Sequence, residues 1–133
     1  MRILLIHHPS DASFVASLVP EMARRDFDRV EAPAAADLAV LLVSRAALEQ
    51  GLGEAPRQAL DAGLELLPLL LGEDVLPARF PVHRKHTPLC KDVAGVLKVL
   101  VENRKQRGAK QIDGKSEVFG YGVLLGLLAR KGR

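Results

Sequence analysis

Tryptophan is absent from this chain, tyrosine occurs once, and aromatic residues make up only 4% of it. Single-stranded nucleic acids are gripped largely by stacking bases on aromatic side chains, so a nucleic-acid partner is not expected. The lone cysteine, Cys90, excludes an internal disulfide and suits a reducing, cytoplasmic setting. No apolar run approaches the roughly 20 residues that span a bilayer, so no membrane span is expected. The chain opens directly on MRILLIHH, without the pattern of a signal peptide. A nucleophile-elbow motif is also missing, as is any Ser-His-Asp order, so nothing points to a hydrolase triad.

What remains is a chain of 133 residues, 48% hydrophobic, long enough for one domain with a real core built from Leu, Val and Ala. Its net charge of +3 is unevenly placed. Residues 98–133 carry nine Lys/Arg against three Asp/Glu, whereas residues 1–97 carry ten against thirteen. The basic surplus therefore belongs to the C-terminal part. A basic tail attracts nucleic acid, anionic lipid or an acidic partner, or simply complements a helix end in water.

Apolar periodicity alternates between strands and helices. ILLI, within Arg2–His8, is a buried parallel strand. Asp11 is placed to cap a helix carrying Phe14, Val15, Leu18, Val19 and Met22, which Pro20 should kink or end early. Phe27–Ala32 reads as a short second strand and Leu38–Val43 as a third with both faces covered. A turn or two of helix over Arg45–Gln50 precedes Gly51-Leu52-Gly53, and Glu54-Ala55-Pro56 starts the next helix. Leu64–Leu71 is a fourth strand, with Pro68 counting against a central position in the sheet. His86–Cys90 is a short fifth strand at the edge, and Asp92 opens an amphipathic helix with Val93, Val96, Leu97 and Leu100 on one face. Gly108–Ser116 reads as a linker and Glu117–Arg130 as a last helix. The fold expected is thus α/β, a flavodoxin-like open parallel sheet of about five strands flanked by helices. A domain over residues 1–107 is followed by a basic and apolar helical extension over 108–133.

The run ILLIHHPSDASFVASL, the strand LAVLLVS ending at Ser44, the apolar LELLPLLL and the acidic-proline loop GEDVLPARFP together resemble a TIR domain, the Toll/interleukin-1 receptor homology fold, over residues 2–105. Three features depart from that family. His7-His8 replaces the usual Ser-Tyr, the stretch between the second and third strands shrinks to Pro33–Asp37, and no Trp precedes Glu54. Some members of the family cleave NAD+ with a glutamate near the position of Glu54. The resemblance therefore implies two readings: an NAD+ hydrolase active on self-association, or a non-catalytic module of protein–protein assembly in signalling or defence. NAD+ would enter as a substrate, and no cofactor is implied. A receiver-like fold fits less well, because His7-His8 and Ser44 stand where that architecture places acidic residues.

Glu54 is the candidate catalytic residue. It follows a glycine-flanked loop at the C-terminal edge of the sheet, where open α/β folds bind ligands, and glycine lets a substrate approach the backbone. Cleaving an N-glycosidic bond passes through an oxocarbenium-like state that one carboxylate can stabilise or trap. A glutamate at this point also favours the positive end of a helix, without any catalytic role. His7, His8, Asp11 and Ser44 belong to the same edge and are the candidate substrate-binding residues. A solvated loop and an ordinary helix cap explain them equally well. The Gly-Leu-Gly-Glu run favours the enzyme, and the short stretch before Asp37 favours the module. His83, His86 and Cys90 have a superficial metal-ligand spacing, but Arg84 and Lys85 fall inside it, so no metal is assigned. The tail VFGYGVLLGLLARKGR would pack on its own domain, join an oligomer or lie on a membrane surface.

Overall fold

The computed structural model describes residues 1–72 and 88–109. Four parallel strands form one sheet: β1 (Arg2–Ile6), β2 (Asp28–Val30), β3 (Leu38–Val43) and β4 (Leu66–Leu70), in the order β2-β1-β3-β4. Between them lie α1 (Ala12–Ala23), α2 (Arg45–Gln50) and α3 (Ala55–Asp61), and α4 (Val93–Ala109) comes after the sheet. The α/β class and the parallel sheet therefore hold. In place of a fifth strand, the described residues show one parallel bridge between Leu70 and Leu89. The Leu70 N–H donates to the Pro88 carbonyl and the Cys90 N–H to the Leu70 carbonyl, at 2.9 and 2.7 Å.

Strands β1, β3 and β4 are apolar on both faces because both faces are covered, the pattern of a parallel sheet, whereas the edge strand β2 is mostly exposed. Alternation then sorts the side chains. Ile3, Leu5, Leu38, Val40, Leu42, Leu67 and Leu69 share one cluster with Val15, Leu18 and Met22 of α1 and Val96, Leu97 and Leu100 of α4. Leu4, Ile6, Ala39, Leu41, Val43, Leu66 and Leu70 share the other with Ala47 and Leu48 of α2 and Ala59 of α3. Pro68, whose missing N–H would cost a ladder bond in a fully paired strand, pairs with Leu41 on one side only.

Several elements differ from the reading of the sequence. The first helix does not stop near Pro20 but continues to Ala23. The ring forfeits only the hydrogen bond to the Ala16 carbonyl, and Ala16 is exposed, so water can serve that group. The second strand is shorter than Phe27–Ala32: the Phe27 N–H donates to the Met22 carbonyl at 3.0 Å instead of joining the sheet, and its side chain is fully buried. The Arg104 guanidinium lies 4.2 Å from its ring centroid and donates to the Arg25 carbonyl at 2.7 Å. Gly108 lies inside α4, which ends at Ala109, so the linker starts no earlier than residue 110. The remaining linker, the helix expected over 117–130, most of the acidic-proline loop, His83 and His86 lie outside the described residues.

The connection from β2 to β3 occupies residues 31–37 and contains only a 3-10 turn, Pro33–Ala35. Two strand spacings, roughly 10 Å, separate its ends across β1, and seven residues reach that far without a helix. Ala36 packs on the side of the sheet covered by α2 and α3. Among the described residues, the short stretch before Asp37 thus leaves that face to those two brief helices, both later in the chain than Ser44.

Candidate functional site

Ser44 comes directly after β3 and is the N-cap of α2: its Oγ accepts the Ala47 N–H at 3.2 Å. Its own hydroxyl hydrogen is donated to Asp11 Oδ2, 2.6 Å away and 33 positions earlier in the chain. A hydrogen bond to a carboxylate at this distance is of the strong, charge-assisted kind. Asp11 occupies the N-cap position of α1, as the sequence predicts, yet makes no side-chain cap there. The carboxylate has turned away from the nearest helix to fasten the loop after β1 to the end of β3.

His8 makes a second fastening of the same kind. Its Nδ1 accepts the Ser10 N–H at 3.0 Å and also meets Ser10 Oγ at 2.7 Å. A nitrogen that accepts from a backbone N–H carries a lone pair, so Nε2 bears the hydrogen in this arrangement. That hydrogen is donated to Gln50 Oε1 at 2.6 Å, in the last turn of α2. His7 has the opposite tautomer, because its Nδ1 lies 2.9 Å from the His8 carbonyl and can only donate to it. In the neutral ring, His7 Nε2 is then the acceptor nitrogen.

Four of the five candidate site residues thus come together around the loop after β1. Asp11 is bonded to Ser44, and His8 to Gln50, so both ties run from that loop to the α2 segment. His7 is held within the loop itself. Gln50 and Ser10 are additions that no sequence motif announces. Their roles depend on how α2 lies across the sheet edge.

Glu54 is exposed at the start of α3, after a break that requires glycine: Gly51 and Gly53 have φ of +82° and +68°, in the left-handed region that other residues rarely adopt. A Cβ built on Gly53 would meet nothing within 4 Å, so the space beside that residue is open. Glu54 stands at the N-cap position, but its side chain makes no capping hydrogen bond. As a cap it contributes only its charge near the helix end. Pro56 and Ala59 of the same helix are buried and hold it against the sheet.

The Cys90 thiol is buried, and burial first, with the charge of Asp92 second, pushes its pKa up to about 11. A metal ligand must be a thiolate, so Cys90 is poorly suited to that role. Among the described residues, no group of three or more His, Cys, Asp or Glu side chains is placed to hold a metal ion. Among the same residues, no helix is long and apolar enough to cross a membrane.

Comparison with protein-family models, with curated proteins and with solved structures gives no match. The likeness to TIR domains accordingly rests on the sequence motifs alone.

Proposed function

We propose that the chain is a TIR-like protein–protein interaction module that acts by assembly, with itself or with a partner. The observation that carries this reading is the way the sheet edge spends its polar groups. The Ser44 hydroxyl donates to Asp11, and both ring nitrogens of His8 are engaged with Ser10 and Gln50. A ribose or phosphate arriving there would compete with these bonds; the one between Ser44 and Asp11 is partly buried and costly to leave unmade, while those of His8 are exposed. What the edge does well is hold α2 in a fixed position on the sheet, which suits a surface to be recognised.

A second reading, the hydrolysis of NAD+ to nicotinamide and ADP-ribose on self-association, is favoured by Glu54. Its carboxylate is exposed, is not engaged as a helix cap, and stands beside the open space at Gly53. In that reading Glu54 would stabilise the oxocarbenium-like sugar while neutral nicotinamide leaves and water takes its place. One experiment separates the two. Nicotinamide release from NAD+ is monitored with the full chain clustered on beads, for wild type and for Glu54→Gln. Assembly alone predicts no release from either protein. Release by wild type that is lost in Glu54→Gln would establish the enzyme instead.

A further inference from the structure

A groove of about 490 Å³ runs between α1 and α4. Val93, Leu97 and Val101 lie along its floor at a spacing of four, so they form one stripe on α4. Val93 and Val101 are only partly buried. Charged groups also line it, Glu21 and Arg25 from α1 and the turn after it and Lys98 and Glu102 on α4. Glu21 is already paired with Arg24 and Arg25, at 3.2 and 3.3 Å, and Glu102 lies 3.9 Å from Lys105. The groove therefore calls for an apolar occupant more than a charged one.

We propose that residues 118–128 of the same chain fill this groove. The stretch Val118–Leu128 holds eleven residues without a charge, eight of them large and apolar and the other three glycine. Left in water it would expose one continuous apolar surface, which soluble proteins rarely tolerate. Its place in the chain fits the groove. The floor from Val93 to Val101 is about 12 Å long at 1.5 Å per residue, and Val118–Leu128 as a helix is about 15 Å long. From the end of α4 at Ala109 the chain must turn and return about 12 Å to draw level with Val101. The eight residues 110–117 can reach roughly 26 Å when extended, which covers the turn and the return. The result is an αα-hairpin with a connection of common length. Gly122 and Gly126, one turn apart, would let the returning helix settle closely between two others. This inference concerns the face opposite α2 and α3, and stands whichever reading of the sheet edge holds.

The test uses the full chain with cysteines at Ala94→Cys, exposed on the groove wall, and Leu127→Cys, joined by a short bis-maleimide. Docking within one chain predicts a monomeric cross-linked product whose yield is independent of protein concentration. Val101→Lys, added to that pair, should lower the yield at least fivefold by placing an ammonium on the groove floor. A control pair, Asp28→Cys with Leu127→Cys, should give little product. Three results would each overturn the proposal: no cross-link from folded protein, a yield unmoved by Val101→Lys, or a product that is mainly dimeric and grows with concentration. The last would mean that a second copy supplies the occupant.

Discussion

The face of the sheet under α1 and α4 buries Phe27, Met22, Leu18 and Leu100 completely, beneath helices of 12 and 17 residues. The other face meets helices of six and seven residues, largely through Ala47, Leu48 and Ala59. Large side chains in long helices give a thick, cohesive layer. Alanines give a thin one in which short helices lie close to the strands, and the thin layer starts at Ser44, ends α2 at Gln50 and presents Glu54. Among the described residues, Ser44, Gln50 and Glu54 thus sit on the side with less apolar burial. That is where local opening is cheapest and where binding surfaces are usually found. The hydrogen bonds from Asp11 and His8 offset the thinness by tying α2 to the loop after β1.

The same substitution made on each face measures the contrast. Leu18→Ala, at a position without solvent exposure on the inner side of α1, should cost about 3–5 kcal/mol. Leu48→Ala, at the end of short α2 and 6% exposed, should cost closer to about 2 kcal/mol, because that helix can settle into the space left. Urea midpoints at constant slope report both values. Equal losses would dissolve the distinction between a thick and a thin layer.

Alkaline pH loads the thick face through Cys90. Cys90 belongs to its cluster, and the thiol pKa rises from 9.0 to about 11 on folding. Between those values the unfolded chain has released the proton and the native chain has not, so stability falls as pH rises through this window. A difference of about two pKa units amounts to a loss on the order of 2–3 kcal/mol by pH 11. Cys90→Ala should remove that part of the alkaline slope, read as the difference between the two proteins' unfolding curves at pH 8 and pH 10.5. Parallel slopes would place the thiol in a wetter site than the thick layer allows.

Ser44→Ala tests the fastening of the thin face. It removes the N-cap of α2 and leaves Asp11 without its donor, for a loss of about 1–2 kcal/mol. Hydrogen exchange should accelerate at Ala47 and Leu48 while amides in α4 keep their protection. Uniform acceleration across both faces would mean that α2 does not open on its own. Ser44→Thr, which keeps the hydroxyl, should restore most of the protection.

Much of this architecture can be read in the sequence because it is governed by local patterns. LAVLLV is apolar at every position, and all six residues of β3 are buried. Ser44 ends that strand and caps α2, as a serine between a strand and a helix should. The site is less legible. Asp11 has a local role open to it at the start of α1, and nothing near it in the chain shows that a hydroxyl 33 residues away will win its carboxylate. The bond between His8 and Gln50 likewise depends on where a six-residue helix crosses the sheet edge. Glu54 fits the pattern of a cap, but its side chain makes no capping bond. Pro20 misleads for a different reason, since a proline on the exposed side of a helix forfeits a bond that water can replace.

The smallest effect is expected at the opposite, N-terminal edge of the sheet, where Asp37 Oδ2 accepts the Arg2 N–H at 2.8 Å and Oδ1 lies 3.5 Å from the guanidinium. The backbone hydrogen bond first, and the Arg2 side chain second, hold the Asp37 pKa below its ordinary value of 3.8. A carboxyl whose pKa is depressed by folding stabilises the native state above its unfolded pKa, and that contribution disappears as pH falls through the folded value. The window therefore opens below pH 3.8 and lies outside the neutral range. Both side chains are around half exposed, so water and salt screen the ion pair. Arg2→Ala removes the guanidinium but keeps the backbone donor, and should barely move the acid midpoint. Asp37→Asn removes the charge from both contacts and should flatten the acid limb measurably. If Arg2→Ala had the larger effect, the ion pair and not the backbone bond would hold this edge. The contrast with the bonds made by Ser44 and His8 at the other edge would then lose its basis.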